Sequence, residues 1–188
     1  YATDRGVLVS LAHTVADYPL VQKAFDAGYT HATHFYNAMT GVSKKREYKH
    51  EGTIESIYLI DDLTVELVTD GIHVPPAILK LVHKIKGVER TSLVTDAMYA
   101  AAWPEAETLF LDPRLILEDG GCKLADRSAL ASSIATGDRM IRVMVQEAGI
   151  PLLDAVRMGA ETPARTMGIL DRKGSIEKGK DADIIIFD

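Results

Sequence analysis

The chain has 188 residues, 47% of them hydrophobic and 26% charged, with a net charge of −6. That length suffices for one domain with a real core, and the acidic balance argues against broad nucleic-acid binding, which needs a basic surface. A single cysteine, Cys122, excludes an internal disulfide framework and fits a reducing, cytoplasmic setting, and no apolar run reaches the ~18 residues of a membrane span.

The chain opens at Tyr1, not Met, and is expected to be a cut through a larger protein. Residues 6–12 read as a buried strand that runs into His13. A helix is expected over 15–27, closing near Gly28. Residues 29–35 form the next strand, with His34 near its end and a turn beginning at Asn37-Ala38-Met39. Residues 40–52 read as a polar loop holding the basic cluster Lys44, Lys45, Arg46 and Lys49. A short helix over 53–60 leads to a strand over 64–69, which ends at Asp70, with His73 just beyond. Pro75-Pro76 precedes the apolar spacing of Ile78, Leu81, Val82 and Ile85, as a helix start should. Gly87 closes that helix, and residues 90–95 make the fourth strand, ending at Asp96.

The second half changes character. Residues 109–124 read as short strands around a Glu118-Asp119-Gly120-Gly121 turn. A long amphipathic helix is expected over 129–148, with Ile134, Met140, Ile141, Met144 and Val145 in the core. Two short helices split at Pro163 are expected over 151–167. A Gly-punctuated turn segment and an apolar strand close the chain.

The first four strands share one design: a short run of Val, Leu, Ile and Thr that ends in an imidazole or a carboxylate. The separations are 21 residues from His13 to His34, 36 from His34 to Asp70 and 26 from Asp70 to Asp96. Repeated strand–loop–helix units imply a parallel sheet, and four such units are half of an eight-stranded barrel. Right-handed crossovers place successive strand ends side by side. In a (β/α) barrel those ends converge on the face that carries the active site. Imidazoles and carboxylates converging there suggest metal-dependent hydrolysis. His31 and His34 lie an odd number of residues apart, so they face opposite ways on a strand, and His31 is expected to be structural or to support a site residue from behind. Asp70 either binds substrate or caps the turn before Gly71.

SLAHT, ATHFYNAM, DGIHV, LVTDAM and the closing ETPAR, MGI and KGSIEKGKDADIIIFD occur in one order along the chain. On these motifs it resembles the N-acetylglucosamine-6-phosphate deacetylase family of the amidohydrolase superfamily. The resemblance implies an α/β fold: a TIM-type (β/α)8 barrel, here about its second half over 1–168, with a short β insertion near 105–125. Residues 169–188 would then begin the C-terminal part of a small β-sandwich. It implies that His13 and His34 are imidazole ligands of a divalent metal ion, Zn or Fe, and that Asp96 handles the proton of the attacking water. His73 would bind substrate, Asn37 and Ala38 would form the turn around the phosphorylated end of the sugar, and Arg46 would reach a phosphate in the neighbouring subunit of a homodimer. The family's third protein ligand, a glutamate, and a carbonyl-polarising histidine would precede Tyr1. Two segments depart from the family pattern: the loop GVSKKREYKHEG is longer than the common form, and LADRSALASS replaces a shorter motif.

The reaction implied is hydrolysis of N-acetylglucosamine 6-phosphate to glucosamine 6-phosphate and acetate, with a phosphorylated amino sugar as the partner and neither nucleic acid nor membrane. A divalent ion lowers the pKa of water to roughly 7, and general acid–base work adds ~10²–10⁴-fold. Two other readings compete. One is a related hydrolase of another N-acyl or cyclic amide. The other is a catalytically incompetent fragment serving as a structural or interaction piece.

Overall fold

The computed structural model describes residues 1–103 and 112–186. β1 (Val9–Leu11) leads to α1 (Tyr18–Asp26) and β2 (Tyr29–Ala32). A hairpin of β3 (Ser43–Lys45) and β4 (Tyr48–His50) follows. Then come α2 (Thr53–Leu59), β5 (Thr64–Val68), α3 (Pro76–Lys86) and β6 (Thr91–Val94). β1, β2, β5 and β6 form one all-parallel sheet in that order, so successive βα units sit side by side.

Each helix start has a local cause. Asp17 caps α1 by accepting the Leu20 N–H at 3.3 Å, and Pro19 lies in its first turn. At α2, Glu55 reaches back to accept the Gly52 N–H at 2.9 Å. Gly52 is required there by space, since a Cβ would fall 2.3 Å from the Thr40 carbonyl oxygen. α3 begins at Pro75-Pro76 and closes at Gly87, whose N–H returns to the His83 carbonyl at 3.0 Å. No helix among the described residues is long and apolar enough to cross a membrane.

Register divides the parallel sheet into two unlike faces. On one face Leu11, Ala32, Val65, Leu67 and Leu93 join a buried cluster with Val21 of α1, Ile57 of α2 and Leu79 and Val82 of α3. The other face carries Ser10, His31, Thr64, Glu66 and Ser92, with Val68 and Val94 toward the carboxyl ends. The strands are thus two-faced, not apolar throughout. β1 is also shorter and wetter than its sequence suggests, with Val7 and Leu8 exposed.

Beyond β6 the chain forms a second sheet of β7 (Leu115–Glu118), β8 (Gly121–Leu124) and β9 (Leu130–Ser132), antiparallel throughout. Asp119 and Gly120 join β7 to β8 with φ of 53° and 76°, the doubly left-handed backbone that Asp-Gly favours in a hairpin. The expected strands at 109–111 and the first part of the insertion near 105–125 lie outside the described residues.

The long helix over 129–148 is not formed as one piece. Leu130–Ser132 pairs with β8, and helix begins only at α4 (Gly137–Arg142), continuing as a π-helical turn over Val143–Glu147. Strand pairing at its start outweighs the helical periodicity of this stretch. Met140 and Met144 are buried, as the apolar spacing requires. α5 (Leu152–Gly159) and α6 (Glu161–Thr166) break at Ala160, not at Pro163. Pro163 sits in the first turn of α6, where a missing N–H costs nothing.

The closing apolar strand is likewise absent over 181–186, where the backbone forms no ladder and Ile184, Ile185 and Ile186 are exposed. A strand exists only by pairing, and no described strand takes this segment as a neighbour, so residues 181–186 form no strand.

Candidate active site

The parallel strands end at Leu11, Ala32, Val68 and Val94. Two residues beyond each end stand His13, His34, Asp70 and Asp96. The carboxyl edge of the sheet therefore carries two imidazoles and two carboxylates in spatial sequence. His13, His34 and Asp96 have φ of 44°, 32° and 49°, left-handed backbone that costs a residue with a Cβ ~1–3 kcal/mol and gathers at functional sites.

His13 and His34 meet. Their Nε2 atoms lie 2.9 Å apart and their ring centroids 4.7 Å. That nitrogen separation suits either a shared proton or two bonds of ~2.0–2.1 Å to one ion. His34 Nδ1 is buried with no hydrogen-bonding partner among the described residues. No set of three or more His, Cys, Asp or Glu side chains gathers as a metal cage among the described residues. The pair fits part of a ligand set and not a whole one.

The turn after β2 is tightly tied. The Asn37 N–H and side-chain amide both donate to the His34 carbonyl, at 2.9 and 3.1 Å. Ala38 is exposed at a φ of 52°. Tyr36, also left-handed at 84°, shares a hydroxyl hydrogen bond of 3.0 Å with Tyr58. Asn37 therefore shapes the turn, whatever else it binds.

Asp70 is buried and orients His73. It accepts the His73 Nδ1–H at 2.7 Å and the backbone N–H groups of Ile72 and His73 at 2.9 Å each. Burial works to raise its carboxyl pKa, but the hydrogen bonds prevail and hold it below the usual value. An ionised carboxylate only accepts, so the proton of a neutral His73 sits on Nδ1, and Nε2 is left as an acceptor. Asp96 is exposed, and its backbone carbonyl accepts from Ser132 Oγ at 2.8 Å and from the Ser133 N–H at 3.2 Å. These bonds tie its turn to the end of β9.

Arg46 lies outside the parallel sheet. It occupies the two-residue turn between β3 and β4, exposed and at a φ of 57°. The hairpin forms no ladder with the parallel sheet, and it replaces the expected irregular loop.

Two residues escaped the sequence reading. Glu66 accepts the His34 N–H at 3.1 Å. Its signal was a lone carboxylate between Val65 and Leu67 in an apolar strand. Arg139 donates from Nε to the Asp70 carbonyl at 3.0 Å; nothing in its surroundings set it apart from other helix-surface arginines.

A family model described as the amidohydrolase family matches residues 2–188. The chain belongs to the amidohydrolase family. It is 37% identical to the N-acetylglucosamine-6-phosphate deacetylase of Haemophilus influenzae, over 97% of this chain and 47% of that protein. It is 32% identical to the N-acetylgalactosamine-6-phosphate deacetylase of Escherichia coli O157:H7, over 98% of this chain and 47% of that one. The fold matches a mutant of the Mycobacterium smegmatis N-acetyl-D-glucosamine-6-phosphate deacetylase, solved with N-acetyl-D-glucosamine-6-phosphate. The TM-score is 0.80 at 30% identity, covering 96% of this chain and 47% of that one. The chain thus spans about half the length of the relatives it matches.

Proposed function

We propose that this chain supplies half of the active site of a divalent-metal-dependent deacetylase acting on N-acetylglucosamine 6-phosphate, within a (β/α)8 barrel. The observation that carries the reading is the 2.9 Å approach of His13 and His34 Nε2 on adjacent strand ends, with Asp96 on the same edge. The relatives' named substrates supply its chemical class.

His13 and His34 would hold the ion, Zn²⁺ or Fe²⁺, through neutral imidazole nitrogens. The ion's contribution is Lewis acidity, which brings the pKa of a water near ~7. Asp96 is exposed on the edge and free to take a proton from the attacking water and return it to the departing nitrogen. Water adds to the amide carbonyl, the C–N bond breaks, and acetate and the free amine leave. His73, its Nδ1–H fixed by Asp70, presents Nε2 as an acceptor for a sugar hydroxyl. The Asn37-Ala38 turn receives the phosphorylated end. Arg46, whose planar fork matches phosphate oxygens, reaches from its exposed hairpin into the site of a second subunit.

The remaining ligands come from outside the described residues, so the test supplies them. The 188-residue chain is fused behind the N-terminal half of the Haemophilus influenzae relative, and acetate release is measured with Zn²⁺. The fusion is expected to release acetate from N-acetylglucosamine 6-phosphate, the chain alone is not, and His34→Ala should abolish release from the fusion. Equal release with and without His34 overturns the reading. N-acetylgalactosamine 6-phosphate, run alongside, separates the two sugar epimers named for the relatives.

A further inference from the structure

The polar face of the parallel sheet contains a chain of contacts that the proposed chemistry does not use. Glu66 holds two consecutive amides of the turn after β2: its Oε1 accepts the His34 N–H at 3.1 Å, and its backbone carbonyl accepts the Phe35 N–H at 2.8 Å. Its other carboxylate oxygen lies 3.5 Å from His31 Nε2. His31 is buried, and its Nδ1 is 2.7 Å from Thr64 Oγ1. The Thr64 hydroxyl donates its proton to the Thr30 carbonyl at 3.1 Å, so toward His31 it accepts. With Nδ1–H given to Thr64, only a second ring proton lets His31 Nε2 donate to the Glu66 carboxylate, and in that state Thr64, His31, Glu66 and the His34 amide form one continuous line.

A carboxylate in this place needs a reason. It is three-quarters covered, with its side chain 24% exposed, and desolvation of a charge opposes folding. Its strand neighbours Val65 and Leu67 show that apolar side chains fit this strand, and an apolar residue is often no worse than a buried ionic pair for stability alone. What an apolar side chain cannot do is accept the His34 N–H. That amide belongs to a residue in left-handed backbone at a φ of 32°. The backbone angle sets where the His34 ring points, and hence its approach to His13.

We propose that Glu66, braced by His31, is the positioning residue that aims His34 at the metal site. This rests on the reading of His13 and His34 as ligands of one ion. Groups behind metal ligands typically govern affinity by roughly 10–100-fold, and the line Thr64–His31–Glu66 acts here through backbone rather than through the ring.

The test is a Zn²⁺ titration of the 188-residue chain, followed by the ring NMR signals of His13 and His34, with hydrogen exchange of the His34 amide as a metal-free readout. Glu66→Ala should raise the Zn²⁺ midpoint by roughly 10–100-fold and speed exchange of the His34 amide. Glu66→Gln should restore both, because its carbonyl oxygen still accepts the His34 N–H while its NH₂ donates to a neutral His31 Nε2. If far-UV circular dichroism shows Glu66→Ala to be unfolded, Glu66→Asp is read instead. It keeps the charge, withdraws the acceptor by one methylene, and should weaken binding in the same direction. A wild-type midpoint in the Ala or Asp variant, where His34→Ala does weaken binding, overturns the proposal. So does a Gln variant as weak as Ala. An unchanged midpoint in His34→Ala overturns the ligand reading instead, and the two failures are thereby distinguished.

Discussion

The two faces of the parallel sheet come from the same strands and obey different rules. On the helix-covered face, Leu11, Ala32, Val65, Leu67 and Leu93 are interchangeable in kind: each contributes area removed from water, and none has a directional partner. On the opposite face, Ser10 bonds Thr33 at 2.8 Å, His31 meets Thr64 and Glu66, and Glu66 holds the turn of His34. Removing area from the first face weakens the whole domain. Removing a donor or acceptor from the second shifts one strand end and the group mounted on it. Under the proposed function, stability and chemistry are separated by the two-residue period of a strand.

The comparison breaks most sharply at the edge itself. Asp96→Asn in the active fusion should lower turnover by ~10²–10⁴-fold while leaving thermal unfolding near the parent's, because the amide cannot carry the proton. A variant with normal turnover removes Asp96 from the chemistry. Leu67→Ala should do the reverse. It is fully buried, so its loss should cost ~2–5 kcal/mol in urea unfolding, with per-folded-molecule turnover little changed.

Asp70→Asn falls between these, since Asp70 is buried yet aims a ring. A loss of ~1–3 kcal/mol is expected at neutral pH. Nitrogen-15 spectra should show the His73 proton moved from Nδ1 to Nε2. The folded Asp70 carboxyl lies below its ordinary value, so its stabilising contribution is present above the ordinary carboxylate range and is lost as pH falls through the folded value. The variant's acid unfolding should therefore be shallower than the parent's; equal acid limbs would contradict the assignment. The smallest effect belongs to Ser92, whose hydroxyl on the polar face is buried without a partner among the described residues. Ser92→Ala should shift stability by less than ~1 kcal/mol, and in the stabilising direction, because the lost group was already unpaired.

Where local chemistry decided the outcome, the sequence was readable. Asp119-Gly120 demanded its turn, Pro75-Pro76 demanded a helix start, and the His or Asp after each apolar run marked the sheet edge. Where pairing decided, it was not. Leu130–Ser132 carries helical periodicity but lies against β8, and Ile184–Ile186 has strand composition without a neighbouring strand. The β3–β4 hairpin was hidden because Arg46 occupies a left-handed turn position where glycine would have announced it. Glu66 was visible as a charge in an apolar run, but its target, a backbone amide on the next strand, has no signature in side-chain identity.

The left-handed backbone at His13, His34 and Asp96 also bears on the protein's ancestry. Glycine adopts that conformation without steric cost, so at each of these positions a glycine would relieve the backbone while discarding the functional group. Under the roles proposed for these residues, selection for folding alone would favour the exchange and selection for chemistry would resist it. In a descendant lineage released from catalysis, these three sites should drift toward glycine ahead of the buried face, leaving a fossil record of lost activity in a fold that otherwise stays intact.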